Sequence, residues 1–175
     1  MLRTLILAAA LALSAACATV QPAPPAHEHA AATTPANDSV LLVGPSGQSN
    51  LTRADLATMP RKTIRMSIHG ADHVFEGVAL TDILARVGAP SGQSLRGPAL
   101  ASVVLVTSRD DYRVALSLAE TDAGIRTTGV ILADTMDGAP ISAEDGPFRL
   151  IVEGDLRPAR SARMVTRIEV RTLAP

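Results

Sequence analysis

Short apolar runs bounded by turn-forming residues recur along residues 39–175 and restrict this chain to a small set of folds. The runs are rich in Val, Ile and Leu and are separated by Gly, Pro, Asn or Asp, a combination typical of β-strands joined by turns. Residues 62–69 alternate polar and apolar side chains, as a half-buried strand does. Residues 102–107 and 130–133 are more continuously apolar, which predicts buried strands. Aromatic residues are 2% of the chain and Trp is absent, so the core must consist of aliphatic side chains.

Two helix signals interrupt the strands. Thr52 is placed as an N-cap with Asp55 three residues on, and Ser117 precedes Glu120 in the same pattern, as in a capping box. A further helix is predicted from apolar residues at i, i+3, i+4 and i+7, which are Leu80, Ile83, Leu84 and Val87. We therefore predict one α+β, β-rich domain over residues 39–175, with seven or eight short strands and two or three short helices.

The N-terminus has the pattern of an export signal over residues 1–18. A weakly basic start precedes an apolar run, Leu5 to Leu13, that is too short to span a bilayer as a helix. Small residues follow, and among them is Cys17. Two interpretations remain open: Cys17 is the lipid-attachment site of a bacterial lipoprotein, or a signal peptidase cleaves after Ala18. Both predict an exported, periplasmic protein, and the first adds a lipid anchor to the membrane.

Residues 19–38 consist mainly of Ala, Pro and Thr, with almost no large apolar side chains. Such a segment cannot bury enough surface to fold, so we predict a disordered Ala/Pro-rich tether. His27 and His29 flank Glu28 within it. Two histidines on a tether are more often polar spacers than metal ligands, so no metal site is assigned to them.

Several classes of function are excluded by composition. Cys17 is the only cysteine, so the domain beyond residue 38 has no thiolate nucleophile, thiolate metal ligand or internal disulfide. The formal net charge is −1, which gives no basis for a nucleic-acid surface. No G-x-S-x-G, H-E-x-x-H or P-loop motif is present, so common hydrolase and nucleotide-binding chemistries find no support.

Four segments together resemble a known family. They read, in order, MPRKTIRMSIHG, FEGVALTDILARVGAP, SRDDYRVALSLAE and VILADTMDGAPISAEDGPFRLIVEGDLRPARSARMVTRIEV. This succession resembles the molybdopterin-binding domain of the sulfite oxidase family over nearly all of residues 39–175. The resemblance implies a β-rich α+β fold. In the family's enzymes it also implies a molybdenum cofactor held by its pterin and by a cysteine thiolate, with oxygen-atom chemistry on sulfite or sulfoxide-type substrates.

The resemblance also implies cofactor-binding residues. The run from Ala159 to Arg163 is similar to the family's Ala-Arg-Ser-x-Lys/Arg stretch, which contacts the phosphate side of the cofactor, and residues 145–149 resemble the segment that leads into the preceding strand. A pair of guanidinium groups near a turn can hold an anion. The alternative is a solvated basic edge whose arginines pair with Asp155 or Glu153. The predicted binding residues are Arg149, Arg160, Ser161 and Arg163.

The molybdenum-ligating cysteine of the family has no counterpart. It would fall within residues 66–70, which contain Ser67 and His69 but no cysteine. A histidine can ligate a metal, but a single one on a strand is more often satisfied by hydrogen bonds, so no metal ligand is assigned. The export signal also argues against a bound cofactor. A protein that acquires its cofactor in the cytoplasm requires twin-arginine export, and Arg3 is the only arginine near the start of this chain.

These observations favour an exported, cofactor-free relative that binds a small anion or an envelope protein partner, rather than an enzyme. We therefore expect no cofactor. The alternative is a molybdopterin-dependent oxidoreductase that acts on sulfite- or sulfoxide-type substrates through a site without a thiolate.

Overall fold

The computed structural model describes residues 38–173, and this part of the chain is strand-rich with two short α-helices. The predicted β-rich α+β class is therefore confirmed. The elements are β1 (Ser39–Gly44), β2 (Gly47–Thr52), α1 (Arg53–Ala57), β3 (Arg61–Ile68), β4 (Ala71–Ala79), α2 (Leu80–Ala85), β5 (Ser102–Ser108), β6 (Arg113–Ser117), β7 (Val130–Met136), β8 (Ala139–Pro140), β9 (Arg149–Val152) and β10 (Val165–Thr172). Short 3₁₀ turns lie at Gly92–Ser94, Gly97–Ala101, Leu118–Thr121 and Pro158–Arg160.

The strands form two sheets. Sheet A has the order β2-β1-β10-β5-β6. Its β1 and β10 are parallel, and its other neighbours are antiparallel. Sheet B runs β3-β4-β7, and the other side of β7 pairs with both β8 and β9. Chain connections therefore pass repeatedly between the two sheets, which brings strand ends from both of them together.

Two of the three predicted helices are present as α-helices. The Thr52 side chain accepts the Asp55 N–H, and the Asp55 carboxylate accepts the Thr52 N–H at 2.8 Å, which completes the capping box. In α2, Leu80, Ile83 and Leu84 are buried, as their helical spacing predicts. Ser117 also forms a capping box with Glu120, but the element that it starts is the 3₁₀ turn Leu118–Thr121.

The core follows the two-residue period of the strands. In β7, Val130 and Leu132 belong to a large cluster shared by both sheets, while Ile131 and Ala133 belong to a second cluster on the other face of sheet B. Because alternate side chains of a strand point to opposite faces, sheet B is buried on both faces along β7. Ile151 of β9 lies in the second cluster.

Some predictions need adjustment, and others fall outside the described residues. The sequence analysis did not predict β2 or the two-residue β8. The export signal over residues 1–18, Cys17 and the tether with His27, Glu28 and His29 lie outside the described residues. Among residues 38–173, no helix is both long and apolar enough to cross a bilayer.

Candidate functional site

A cleft of about 380 Å³ opens where the ends of strands from the two sheets meet. Sheet B contributes the end of β3 and the start of β9, and sheet A contributes the end of β5 and the turn that follows it. The loop between β9 and β10 closes one side. The lining residues are Ile68, His69, Ser108, Asp110, Tyr112, Asp145, Arg149, Pro158, Ala159, Ser161, Ala162 and Arg163.

This cleft joins the two segments that the sequence analysis singled out. Residues 66–70, where the family's cysteine would fall, contribute Ile68 and His69, and residues 157–163 contribute most of the opposite wall. Of the four predicted binding residues, Arg149, Ser161 and Arg163 line the cleft. Arg160 is not among its lining residues.

Arg149 is the most unusual side chain of the cleft. It opens β9 opposite Ala133 of β7, on the face of sheet B that carries the second cluster, and its exposed fraction is 7%. Its guanidinium lies 5.4 Å from the centre of the Phe75 ring, a cation–π distance. Within residues 38–173, its Nε has no hydrogen-bond partner. A buried arginine with an unpaired donor is incompletely compensated by the protein itself.

Burial of Arg149 has an electrostatic consequence. Desolvation lowers the pKa of its guanidinium, and the nearby carboxylate of Asp145 only partly opposes that shift. The distance from Arg149 Nη1 to Asp145 Oδ2 is 4.0 Å, which is too long for a hydrogen bond. A bound anion would compensate the charge better than Asp145 does.

Arg163 provides the second cation. Its side chain is about half exposed, and Nη1 donates to Asp145 Oδ1 at 2.8 Å. Asp145 is thus shared by two arginines, one in direct contact and one at a longer distance. The group formed by Arg149, Arg163 and Asp145 carries one net positive charge.

The hydroxyl groups of the cleft are already engaged in holding its walls. Ser161 Oγ accepts the Val152 N–H at 3.1 Å and donates to Met66 Sδ. Ser108 Oγ donates to the Arg163 carbonyl at 2.5 Å, and Tyr112 Oη donates to the Ala159 carbonyl at 2.7 Å. These bonds fix the β9–β10 loop against both sheets. They leave the guanidinium groups as the prominent uncommitted donors of the cleft.

Arg160 is held in a different network. Its Nε and Nη2 donate to the two carboxylate oxygens of Asp155 at 2.9 and 2.6 Å, and its Nη1 donates to Glu120 at 3.0 Å. These ion pairs raise the pKa of its guanidinium. The pairing with Asp155 is the basic-edge alternative of the sequence analysis. The role of Arg160 in this structure is to anchor the β9–β10 loop to the 3₁₀ turn at Leu118–Thr121.

The backbone of the cleft contains strained positions. Among residues 38–173, four non-glycine residues have positive φ, and three of them adjoin the cleft: His69 (52°), Asp111 (64°) and Met164 (51°). His69 lines the cleft, Asp111 lies between two lining residues, and Met164 follows Arg163. Such conformations cost free energy and concentrate at functional sites, which supports assigning function to this cleft.

The Glu120 network predicts an acid-sensitive contribution to stability. Desolvation raises the pKa of the Glu120 carboxyl. The hydrogen bonds from Arg160 and from the Ser117 N–H, together with the charges of Arg160 and Arg126, lower it by more, so the pKa lies below its usual value of 4.5. A carboxyl with a lowered folded-state pKa stabilises the fold above its unfolded pKa, and this contribution is lost as pH falls through the folded value. Glu120→Gln should therefore lower the free energy of unfolding more at about pH 7 than at about pH 3, as measured by urea denaturation.

The Arg160→Gln variant is the partner test for this contribution. It should weaken the same pH dependence, and the double variant should cost less than the sum of the two single variants because they break one shared interaction. Equal effects of Glu120→Gln at both pH values would contradict this assignment.

A comparison with known protein families shows which family the domain belongs to. The family described as "oxidoreductase molybdopterin binding domain" matches residues 43–174. The chain belongs to this family. The match spans all the strands from the end of β1 to β10 and includes the cleft, so the resemblance inferred from the four sequence segments is confirmed. No curated protein matches the chain.

A solved structure supports the fold of this family member. The sulfane dehydrogenase SoxCD from Paracoccus pantotrophus superimposes with a TM-score of 0.60 at 16% sequence identity. The similarity covers 79% of this chain and 39% of the SoxCD chain. At this identity the comparison establishes the shared fold, and this chain corresponds to about two fifths of that longer chain.

The described residues fit only part of the cofactor that the family name implies. The buried Arg149, with its unpartnered Nε, together with Arg163, suits the anionic side of a molybdopterin. The position expected for the metal ligand offers Ile68 and His69 and no thiolate. Within residues 38–173, no three His, Cys, Asp or Glu side chains are grouped so as to hold a metal ion. The residues present therefore do not fit the family's thiolate-bound molybdenum.

Sequence reasoning did not identify every residue of the cleft. Tyr112 and Ser108 occur in the segment SRDDYRVALSLAE that carries the family resemblance, but they were not predicted as site residues. Tyr112 is the only tyrosine of the chain and directly follows Asp110–Asp111, which was the available signal. The position of Phe75 beneath Arg149 depends on the pairing of β4 and β9 with β7, and no local pattern contains that information.

Proposed function

We propose that this protein is a cofactor-free member of the molybdopterin-binding domain family that uses the cleft as an anion-binding site. The observation that carries the proposal is Arg149, whose buried guanidinium retains an unpartnered Nε beside Arg163. Retaining a buried cation without a full ion pair costs stability, and binding of an anion is the function that this arrangement serves best.

The lack of a thiolate supports the cofactor-free part of the proposal. The family's enzymes resemble this chain in scaffold and in the arginine-bearing segments, but the position of the metal ligand has no cysteine. A molybdopterin-dependent oxidoreductase without a thiolate is the second candidate, because Arg149, Ser161 and Arg163 still face one cleft. The two candidates differ in whether purified protein contains molybdenum.

The anion-binding proposal is tested by titrating the full chain with acetate and, separately, with sulfate at constant ionic strength, followed by amide NMR. We expect saturable shifts at Ser108, Ala162 and Arg163 with at least one of the two anions. Arg149→Met should abolish them. Arg96→Gln, which changes an exposed arginine outside the cleft, is the matched control and should leave them intact. Shifts that stay linear and spread over the surface with both anions would contradict the proposal.

We further propose that the protein acts outside the cytoplasm, since Leu5 to Leu13 and the small residues before Cys17 have the pattern of an export signal. Mass spectrometry of the N-terminus of mature protein from its native envelope tests this. An acylated Cys17 indicates a lipoprotein, and a chain that begins at Thr19 indicates simple secretion. An intact Met1 start would contradict export.

A further inference from the structure

The polar groups of the cleft differ in whether they are available to a ligand. The hydroxyls of Ser108, Tyr112 and Ser161 each donate to another part of the protein. Asp145 accepts from Arg163. A ligand with many hydrogen-bonding groups, such as a pterin ring, would therefore find few partners other than the guanidinium donors and the imidazole of His69. A ligand whose only polar part is an anionic group suits this set.

The charge of the cleft limits the charge of the ligand. Arg149 and Arg163 contribute two positive charges, and Asp145 removes one of them. Asp110 is also negative, but it is exposed at the mouth of the cleft, where water and salt screen it. One net positive charge at the inner end complements one negative charge better than two, because a dianion would bring uncompensated charge close to Asp145.

The volume of the cleft and its apolar lining residues indicate what kind of body carries the anionic group. The volume of about 380 Å³ lies towards the lower end of the range for small-molecule sites. Ile68, Pro158, Ala159 and Ala162, with the ring of Tyr112, supply apolar surface beside the arginines. A compact apolar body attached to the anionic group would bury this surface.

Resting on the proposed function and narrowing it, we propose that the cleft binds an organic monoanion, that is, a single carboxylate or sulfonate group on a compact apolar body. The anionic group lies against the guanidinium groups of Arg149 and Arg163, and the apolar body lies along the wall formed by the β9–β10 loop. The cleft thereby discriminates against phosphate monoesters, which are dianions above neutral pH.

Three probes with the same ring test this proposal by calorimetric titration of the full chain at about pH 8 and low ionic strength. Benzoate carries one charge, phenyl phosphate carries two, and benzyl alcohol carries none. We expect benzoate to bind, phenyl phosphate to bind at least about threefold more weakly, and benzyl alcohol to show no binding. Arg163→Gln should weaken benzoate binding about tenfold, the value of one charge-assisted hydrogen bond. Arg96→Gln is the matched control and should change it less than twofold.

The outcomes separate this inference from the proposed function. Phenyl phosphate binding as tightly as benzoate would overturn the monoanion inference and leave anion binding intact. Benzyl alcohol binding as tightly as benzoate, or benzoate binding that is unaffected by Arg163→Gln, would also overturn it. Failure of all three probes, together with failure of acetate and sulfate in the NMR titration, would overturn both.

Discussion

Replacing Arg149 with Met should abolish anion binding and leave the unliganded protein at least as stable as the wild type. Met keeps much of the volume of the arginine stem over Phe75 and removes a buried charge that has no close ion pair. Replacing a buried charge by an apolar group of similar size is often neutral or stabilising. We therefore expect the free energy of unfolding to be unchanged or to rise by up to about 2 kcal/mol.

Urea denaturation in anion-free buffer measures this effect, and titration with benzoate measures the loss of binding. If Arg149→Met abolishes binding and raises the free energy of unfolding, Arg149 is a functional residue that destabilises the unliganded fold. A measurable loss of stability would contradict this account, because it would show that the cation–π contact and the interaction with Asp145 stabilise the fold more than burial of the charge destabilises it.

Replacing Gly77 with Ala should strongly destabilise the fold. Gly77 lies in β4 beside a bulge in its pairing with β7, and a Cβ there would lie 2.1 Å from the Leu132 carbonyl oxygen and 2.6 Å from Ala133 Cα. Both neighbours are backbone atoms of a strand buried on both faces, so neither can move without disturbing sheet B. The expected loss exceeds about 3 kcal/mol, the upper end of ordinary overpacking.

The matched control for this prediction is Gly138→Ala. Gly138 has a φ of 78° but has no atom near the added Cβ, so only backbone strain of about 1–2 kcal/mol is expected. Denaturation of both variants separates a steric clash from a conformational preference. If Gly77→Ala cost no more than Gly138→Ala, the close approach of β4 and β7 would not be the reason for glycine at position 77.

The local patterns of the sequence account for most of the fold. The capping box at Thr52 and the apolar spacing of α2 depend on residues within one or two turns, so the sequence alone predicts them. β2 escaped prediction because its residues, GQSNLT, are mostly polar and become a strand through pairing with β1. β8 is too short for any periodic pattern to identify.

The site was predictable only where the family resemblance reached it. Arg149, Ser161 and Arg163 were predicted from that resemblance and lie on one cleft. Arg160 and Arg163 are three residues apart, but the 3₁₀ turn ends at Arg160. The chain then changes direction towards β10, so the two side chains join different carboxylates, those of Asp155 and Asp145. Sequence spacing alone cannot show this divergence, because it depends on the three-dimensional path of a loop.

The molybdenum-to-protein ratio of the full chain, purified from its native envelope, tests the central claim most directly. Metal analysis by mass spectrometry, with fluorescence detection of oxidised pterin in the same sample, gives both parts of the cofactor. Because the cleft retains its arginines but has no thiolate, the proposal of a cofactor-free anion-binding domain predicts that the molybdenum-to-protein ratio and the pterin-to-protein ratio are both close to zero. A molybdenum and pterin content close to one per chain would contradict it and establish a molybdopterin protein without the cysteine ligand.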